Sequence, residues 1–325
     1  MKYLKSFFAV ASVCVMVAGH TIAHSQTYPD KPIRIIAGFP PGGSFDAFSR
    51  TIALALGERL KQTTVVENRP GAAGAPAAEY VAKSPADGYT LLVVEDGMMS
   101  IAQLLNPNLG YNSIQDFAPI SLSTIIPMVL VANPSLGVKD LKSFIALAKS
   151  KPGALNYASP GTGSSPHLTF EILKEKAAID VVHVPYKGAA NVVPDLLSGR
   201  VQLLIVGENT VKSFIRNGSL VVLAGTGKVR SPTLPDTPTF VESGYPALQV
   251  EPYYGLVAPA RTPKPIVDVL DREMRAGLEI PSIRAKLIDL NMQIAAGGGD
   301  VLAARIREDI ARWKPIVARL GVRTE

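Results

Sequence analysis

The residues best able to do chemistry lie in the segment Tyr28–Arg50, YPDKPIRIIAGFPPGGSFDAFSR. It reads as a strand over Ile33–Ala37, a Pro-Pro-Gly-Gly loop over Pro40–Gly43, and a helix from Ser44 onward. A glycine loop opening a helix presents backbone N–H groups at the positive end of the helix dipole, where a carboxylate can sit. Gly42 and Gly43 allow conformations closed to other residues and let a ligand come close. Ser44 or Asp46 can cap the helix. Two readings of this segment stand alone: an anion cradle, or a plain strand-to-helix turn.

A second segment has the same order. Asn156–Ser165, NYASPGTGSS, predicts a strand, a glycine loop over Pro160–Ser165, and a helix starting at Ser165-Pro166. Ser165 suits an N-cap and Pro166 a first-turn position. Thr162, Ser164 and Ser165 add hydroxyls. Two such loops facing one another across a cleft would cradle a dicarboxylate, or one carboxylate and a polar group. Open crevices at the ends of parallel strands are where α/β proteins bind ligands.

Other strand ends carry charge. Glu95-Asp96-Gly97 follows a strand over Thr90–Val94, with Met98, Met99 and Ser100 behind it. Acids placed there would repel a second carboxylate and accept a cation, an amide or a hydroxyl. Lys187, in Tyr186-Lys187-Gly188, offers a charge to an anion, or is simply a surface lysine. Glu208, before Asn209, either accepts from an ammonium or amide or stands as a helix-start acid.

The sequence departs from several enzyme signatures. Gly161-Thr162-Gly163 meets Pro166 where a dinucleotide fingerprint needs a third small residue, and Gly225-Thr226-Gly227-Lys228 lacks the rest of a P-loop. There is no G-x-S-x-G elbow. Beyond residue 25 the histidines are His167 and His183, too few for a recognisable metal cluster. His167 reads as a first-turn polar residue beside the second loop, and His183 as a satisfied core histidine. No cofactor and no metal are expected.

Strands and helices must position these loops. Candidate strands are Ile33–Ala37, Thr64–Glu67, Thr90–Val94, Ile120–Val131, Leu155–Ala158, Val181–Pro185, Val201–Val206, Leu220–Gly225 and Tyr254–Ala258. Helical patterns lie between most of them. Phe48, Ile52, Leu56 and Leu60 recur every fourth residue and predict one buried stripe. Such alternation predicts α/β architecture with parallel sheets. The long run Ile120–Val131 reads as a strand leaving one lobe for another, and Leu248–Ala258 as the return. The expected arrangement is bilobed, with parallel or mixed sheets. Lobe one would be residues 28–124 plus 250–325 and lobe two residues 125–249, with a single doubly wound sheet as the alternative.

The chain of 325 residues is 47% hydrophobic and 18% charged, as expected of a globular protein of about two domains. Residues 1–25 differ: Lys2 and Lys5, an apolar run over Phe7–Gly19, and Ala23-His24-Ser25 follow the order of a secretory signal peptide. The apolar run is short for a membrane span. Cys14, the one cysteine, lies inside it, so disulfide and thiolate chemistry are excluded from the mature chain. Loss of Lys2 and Lys5 takes the formal charge from +6 to +4, a mild bias that does not argue for nucleic acid.

Blocks spanning nearly all of the mature chain resemble the Bordetella-uptake-gene (Bug) type solute receptors of tripartite tricarboxylate transporters. They are YPDKPIRIIAGFPPGGSFD (28–46), VVENRPGAAG (65–74), ADGYTLL (86–92), DFAPISL (116–122), LNYASPGTGSSPHL (155–168), VHVPYKGAA (182–190) and SPTLPDTPTFVESGYP (231–246). The resemblance implies a periplasmic α/β receptor of the bilobed periplasmic-binding-protein fold, expected to be a monomer, that closes on a small organic acid without a cofactor and delivers it to membrane permease subunits. It places ligand contacts at Phe39, Pro41, Gly42, Gly43 and Asp46, at Gly161, Thr162, Gly163, Ser164, Ser165 and His167, and near Tyr186 and Lys187. Asp96, Met99, Ser100 and Glu208 complete the candidate set. This chain has Glu95–Met99 where the family usually has small polar residues, and Glu208-Asn209 where an Asp-Asn pair is common. Those departures favour a monocarboxylate with an amine, amide or aromatic portion. Alternatives are a periplasmic sensor acting on a signalling kinase and, less favoured, a secreted hydrolase or isomerase.

Overall fold

A computed structural model describes residues 28–186 and 188–321. The expected signal segment and Lys187 lie outside the described residues. Contacts divide the chain after Asp30, and the fold below is that of the unit beginning at Lys31.

Eleven strands are described: β1 Ile33–Ala37, β2 Thr64–Asn68, β3 Thr90–Glu95, β4 Phe117–Ile125, β5 Met128–Ala132, β6 Asn156–Ser159, β7 Val182–Pro185, β8 Leu203–Gly207, β9 Val221–Gly225, β10 Tyr253–Pro259 and β11 Gln293–Gly298. The helices are α1 Ser44–Leu60, α2 Ala75–Ala82, α3 Ala102–Leu105, α4 Leu141–Ser150, α5 Ser165–Ala177, α6 Val193–Leu197, α7 Glu208–Arg216, α8 Lys264–Leu278, α9 Pro281–Asp289 and α10 Gly299–Leu320.

The strands form two sheets, ordered β11-β4-β10-β3-β1-β2 and β7-β6-β8-β5-β9. Both are mixed. β1 runs parallel to β2 and β3, and β6 parallel to β7 and β8. β10 is antiparallel to β3 and β4, β11 to β4, and β5 to β8 and β9. The single strand expected over Ile120–Val131 is two. It breaks at Ile126-Pro127, and β4 joins the six-stranded sheet while β5 joins the five-stranded one. Proline lacks the N–H a ladder needs. Ile126 N–H instead donates to Pro252 C=O at 2.7 Å, so the outgoing and returning chains are paired where they pass between sheets. β11, QIAAGG, was not expected from the sequence.

The order of the sheets places the two glycine loops. From β1 the chain passes through α1 to β2 on one side of β1, then through α2 to β3 on the other. From β6 it passes through α5 to β7 on one side and later returns as β8 on the other. The C-terminal ends of β1 and β6 are therefore topological switch points, where adjacent connections diverge and leave a crevice.

The six-stranded side buries Ile36, Val94, Met98, Phe117, Tyr253, Leu302 and Ile306 in one cluster. The five-stranded side buries Leu130, Tyr157, Phe170, Leu173, Trp313 and Val317 in another. In α1, Phe48, Ile52 and Leu56 are buried as their spacing predicts; Leu60 is half-buried at the helix end. α10 contributes to both cores, its first half through Leu302 and Ile306 and its second through Trp313 and Val317.

Candidate functional site

The first loop is held from below. Gly43 is the N-cap of α1, with no side-chain cap, so neither Ser44 nor Asp46 takes the expected N-cap position: the helix begins one residue earlier than a serine cap would allow. Asp46, nearly fully buried, accepts from Gly42 N–H at 3.0 Å, Arg50 Nε at 2.9 Å and Asn68 Nδ2 at 2.9 Å. Burial opposes its charge, but the bonds from Arg50, Gly42 and Asn68 outweigh that and hold the carboxyl below its usual range. Asn68 also donates to Phe39 C=O at 3.0 Å. The loop is thereby fixed with Pro41, Gly42 and Gly43 exposed. The first intrahelical bond runs from Ala47 N–H to Gly43 C=O, and helix geometry leaves the N–H groups of the preceding turn without intrahelical acceptors.

The second loop is braced in its own way. Ser164, not Ser165, is the N-cap of α5, with Pro166 in the first turn. Ser164 Oγ donates to Gly161 C=O at 2.7 Å. Gly163 N–H donates to His167 Nδ1 at 3.0 Å. Gly163 has φ +79°, a conformation that favours glycine, and a Cβ there would have to push aside the Leu105 Cδ1 methyl. Thr162 is exposed. Tyr186 lies beside this loop: its N–H donates to Ser159 C=O at 3.0 Å and its hydroxyl to Asp195 at 2.7 Å. His183 is half-buried on β7, with Nε2 2.7 Å from Ser159 Oγ.

Two contacts join the six-stranded and five-stranded sides at these helix starts. Asn209 Nδ2, in the first turn of α7, donates to Ser44 Oγ, in the first turn of α1, at 2.9 Å. Ser165 Oγ, in the first turn of α5, donates to Asp96 Oδ2 beyond β3. Both glycine loops therefore lie at the boundary between the two sides.

The acids of that boundary are engaged within the protein. Glu95 accepts from Met98 N–H at 2.8 Å and tops the helical turn Gly97–Ile101. Burial and neighbouring Asp96 raise its pKa; burial likewise raises that of Asp96, against its bond from Ser165. Behind Asp96 stands a part-buried ion pair, Arg305 Nε–Asp309 Oδ2 at 2.9 Å, with Arg305 Nη2 also donating to Glu251 C=O at 2.6 Å. Met99 and Ser100 are fully buried, Met99 within the core. Glu208, also buried, accepts from Thr233 Oγ1, and its N–H donates to Pro127 C=O at 3.0 Å.

Aromatic side chains flank the first loop. Phe39 and Phe45 have ring centroids 4.8 Å apart, and Phe45 meets Tyr254 edge-on at 5.0 Å. Phe39 and Tyr254 are part-exposed. Tyr254 pairs with Glu95 across β10 and β3. Phe45, Asn68, Asn209, Tyr254 and Arg305 are absent from the sequence-based set. Phe45 and Asn68 lie within the blocks 28–46 and 65–74 and Asn209 beside Glu208, so these three carried a local signal; Tyr254 and Arg305 carried none. Among the described residues no group of three or more His, Cys, Asp or Glu is placed to hold a metal ion.

The family model for the tripartite tricarboxylate transporter family receptor (TctC) matches residues 48–322. The chain belongs to this receptor family. It is 34% identical over 317 residues to the protein BugT of Bordetella pertussis, covering 97% of each chain. Among solved structures it is similar to the periplasmic binding protein BugD, with a TM-score of 0.80 at 32% identity, over 92% of this chain and 100% of that one. It is also similar to MatC of Rhodopseudomonas palustris with bound malate, with a TM-score of 0.78 at 31% identity, over 89% and 100%. The fold is thus the bilobed one of periplasmic binding proteins, and the chain is a solute-binding receptor of the tripartite type. No helix among the described residues is long and apolar enough to cross a membrane.

Proposed function

We propose that this receptor captures a small monocarboxylate carrying an amine, amide or aromatic portion and hands it to the permease subunits of its transporter. The carboxylate lies where the Pro40–Gly43 and Pro160–Ser165 loops open α1 and α5, against helix-start amides that have no intrahelical acceptor, so no formal positive charge is needed. The observation that carries this reading is the placement of both loops at switch points whose helices are bridged, Ser44 to Asn209 and Ser165 to Asp96. Phe39 and Tyr254 offer the ligand's remaining surface an aromatic wall. A second carboxylate, such as malate would bring to this place, meets the Glu95 and Asp96 carboxyl groups, where burial already disfavours negative charge. Residues 1–25 serve as the export signal, residues 28–124 plus 250–325 and 125–249 are the lobes, and the protein works as a monomer whose lobes close on the ligand.

Calorimetry against succinate, citrate, malate, amino acids, benzoate and nicotinate tests the reading. Binding of an aromatic or amine-bearing acid with weak or no binding of citrate and succinate is the expected result. Tight binding of succinate or citrate, with none of the amino acids or aromatic acids, would overturn it.

A further inference from the structure

Behind the second loop, His167 and His183 lie face to face with ring centroids 4.0 Å apart. They come from different elements, α5 and β7, and each holds one glycine of the loop. His167 Nδ1 accepts from Gly163 N–H at 3.0 Å. His183 Nε2 lies 2.7 Å from Ser159 Oγ, and that hydroxyl accepts from Gly161 N–H at 3.2 Å. An Nδ1 that accepts a hydrogen bond carries no proton, so His167 is the neutral Nε2–H tautomer. A proton on Nδ1 would point at the Gly163 N–H and end that bond. It would also place a cation against the His183 ring.

The groups around the pair do not replace what would be lost. Tyr157 of β6 lies 4.9 Å from His183 and 6.4 Å from His167, ring to ring. Its hydroxyl donates to Glu171 of α5 at 2.6 Å, and Lys174 of α5 donates to the same carboxylate at 2.8 Å. Glu171 is thus already committed to two donors. Asp96 accepts from neighbouring Ser165, and Arg319 of α10, which also packs on α5, pairs with Glu175.

We propose that His167, backed by His183, is the positioning residue of the second loop: as neutral imidazole it turns the Gly163 amide inward and sets the geometry of the exposed loop, and protonation of His167 releases it. Burial, and then the neighbouring His183, push the pKa of His167 down to about 4, so the loop holds its form through neutral pH and loosens in acid. Acid-triggered ligand release follows if the loop grips a carboxylate, and that step alone rests on the receptor reading above.

The test needs no ligand, which keeps its failure separate from failure of the receptor reading. Amide exchange of Gly163 and the imidazole ¹⁵N shifts of His167 are followed by NMR from pH 7.5 to about 3 in wild type, His167→Asn and His167→Leu. Exchange is expressed as a protection factor, with Ala158 of β6 as the structured reference. In wild type, Gly163 protection is expected to fall about tenfold or more as His167 titrates, while Ala158 stays protected. Asparagine presents an acceptor oxygen close to the Nδ1 position and does not titrate, so His167→Asn should retain protection and lose its pH dependence. His167→Leu should lose Gly163 protection at every pH. The proposal is overturned if wild-type Gly163 protection ignores the ionisation of His167, or if His167→Leu protects Gly163 as well as wild type. If His167→Leu fails to fold, the wild-type titration and His167→Asn decide the matter.

Discussion

Asp46 shows how a buried charge can fix the shape of a loop. Its carboxylate spends its bonds on Gly42, Asn68 and Arg50, and what it delivers is the shape of the Pro40–Gly43 turn. Asp46→Ala strands these donors, and unfolding in urea should show a loss of about 2–3 kcal/mol. Glu95 works in the opposite sense. Its carboxyl is raised in the folded state by burial and by Asp96, so the cost of keeping it charged is greatest above the folded pKa and is relieved as pH falls through that value toward the unfolded one. Glu95→Gln should therefore gain thermal stability relative to wild type as pH rises from 5 to 8. A Tm difference that is flat, or that shrinks with rising pH, would contradict this. The first block made Asp46 visible in the sequence, and the strand end after Thr90–Val94 made Glu95 visible, but neither showed its partners. Asn68 is 22 residues from Asp46, and Ser165 is 69 from Asp96, separations no local pattern encodes.

The glycine loops are the elements whose local signal and structure agree, because a strand, a turn that needs glycine and a helix start are all short-range events. Elements defined by long-range pairing were less legible. β11 is glycine-rich and pairs with β4, far back in the chain, so its sequence lacks the β-branched alternation that marks a strand. The break at Ile126-Pro127 was hidden in a continuous apolar run, since both flanking strands are buried on two faces. The face-to-face histidines depend on the pairing of β6 with β7, which sets Tyr157 opposite His183. Two glycine substitutions separate the loops' structural and functional roles. A Cβ at Gly43 meets nothing within 4 Å, and its φ of −87° suits any residue. Gly43→Ala should leave stability within about 0.5 kcal/mol of wild type in a thermal melt while weakening carboxylate binding by calorimetry. Gly163→Ala, with φ +79° and Leu105 in the way, should cost about 1–3 kcal/mol in the same melt.

At the scale of the whole molecule, α10 ties the two cores together: Leu302 and Ile306 belong to one, Trp313 and Val317 to the other. Trp313 is the one tryptophan of the chain and is fully buried, so its fluorescence reports on the five-stranded side alone. Because α10 couples that side to the other, urea transitions followed by Trp313 emission and by far-UV circular dichroism should coincide. A fluorescence transition at lower urea would show that the five-stranded side unfolds first. In the proposed function the mixed sheets, the switch-point loops and the bridges between them serve one act, the capture of a carboxylate by backbone amides. Native mass spectrometry of freshly purified protein tests that most directly. The predicted result is a retained small molecule with one carboxyl group, lost from Gly43→Ala; a retained molecule with no carboxyl group would contradict the account.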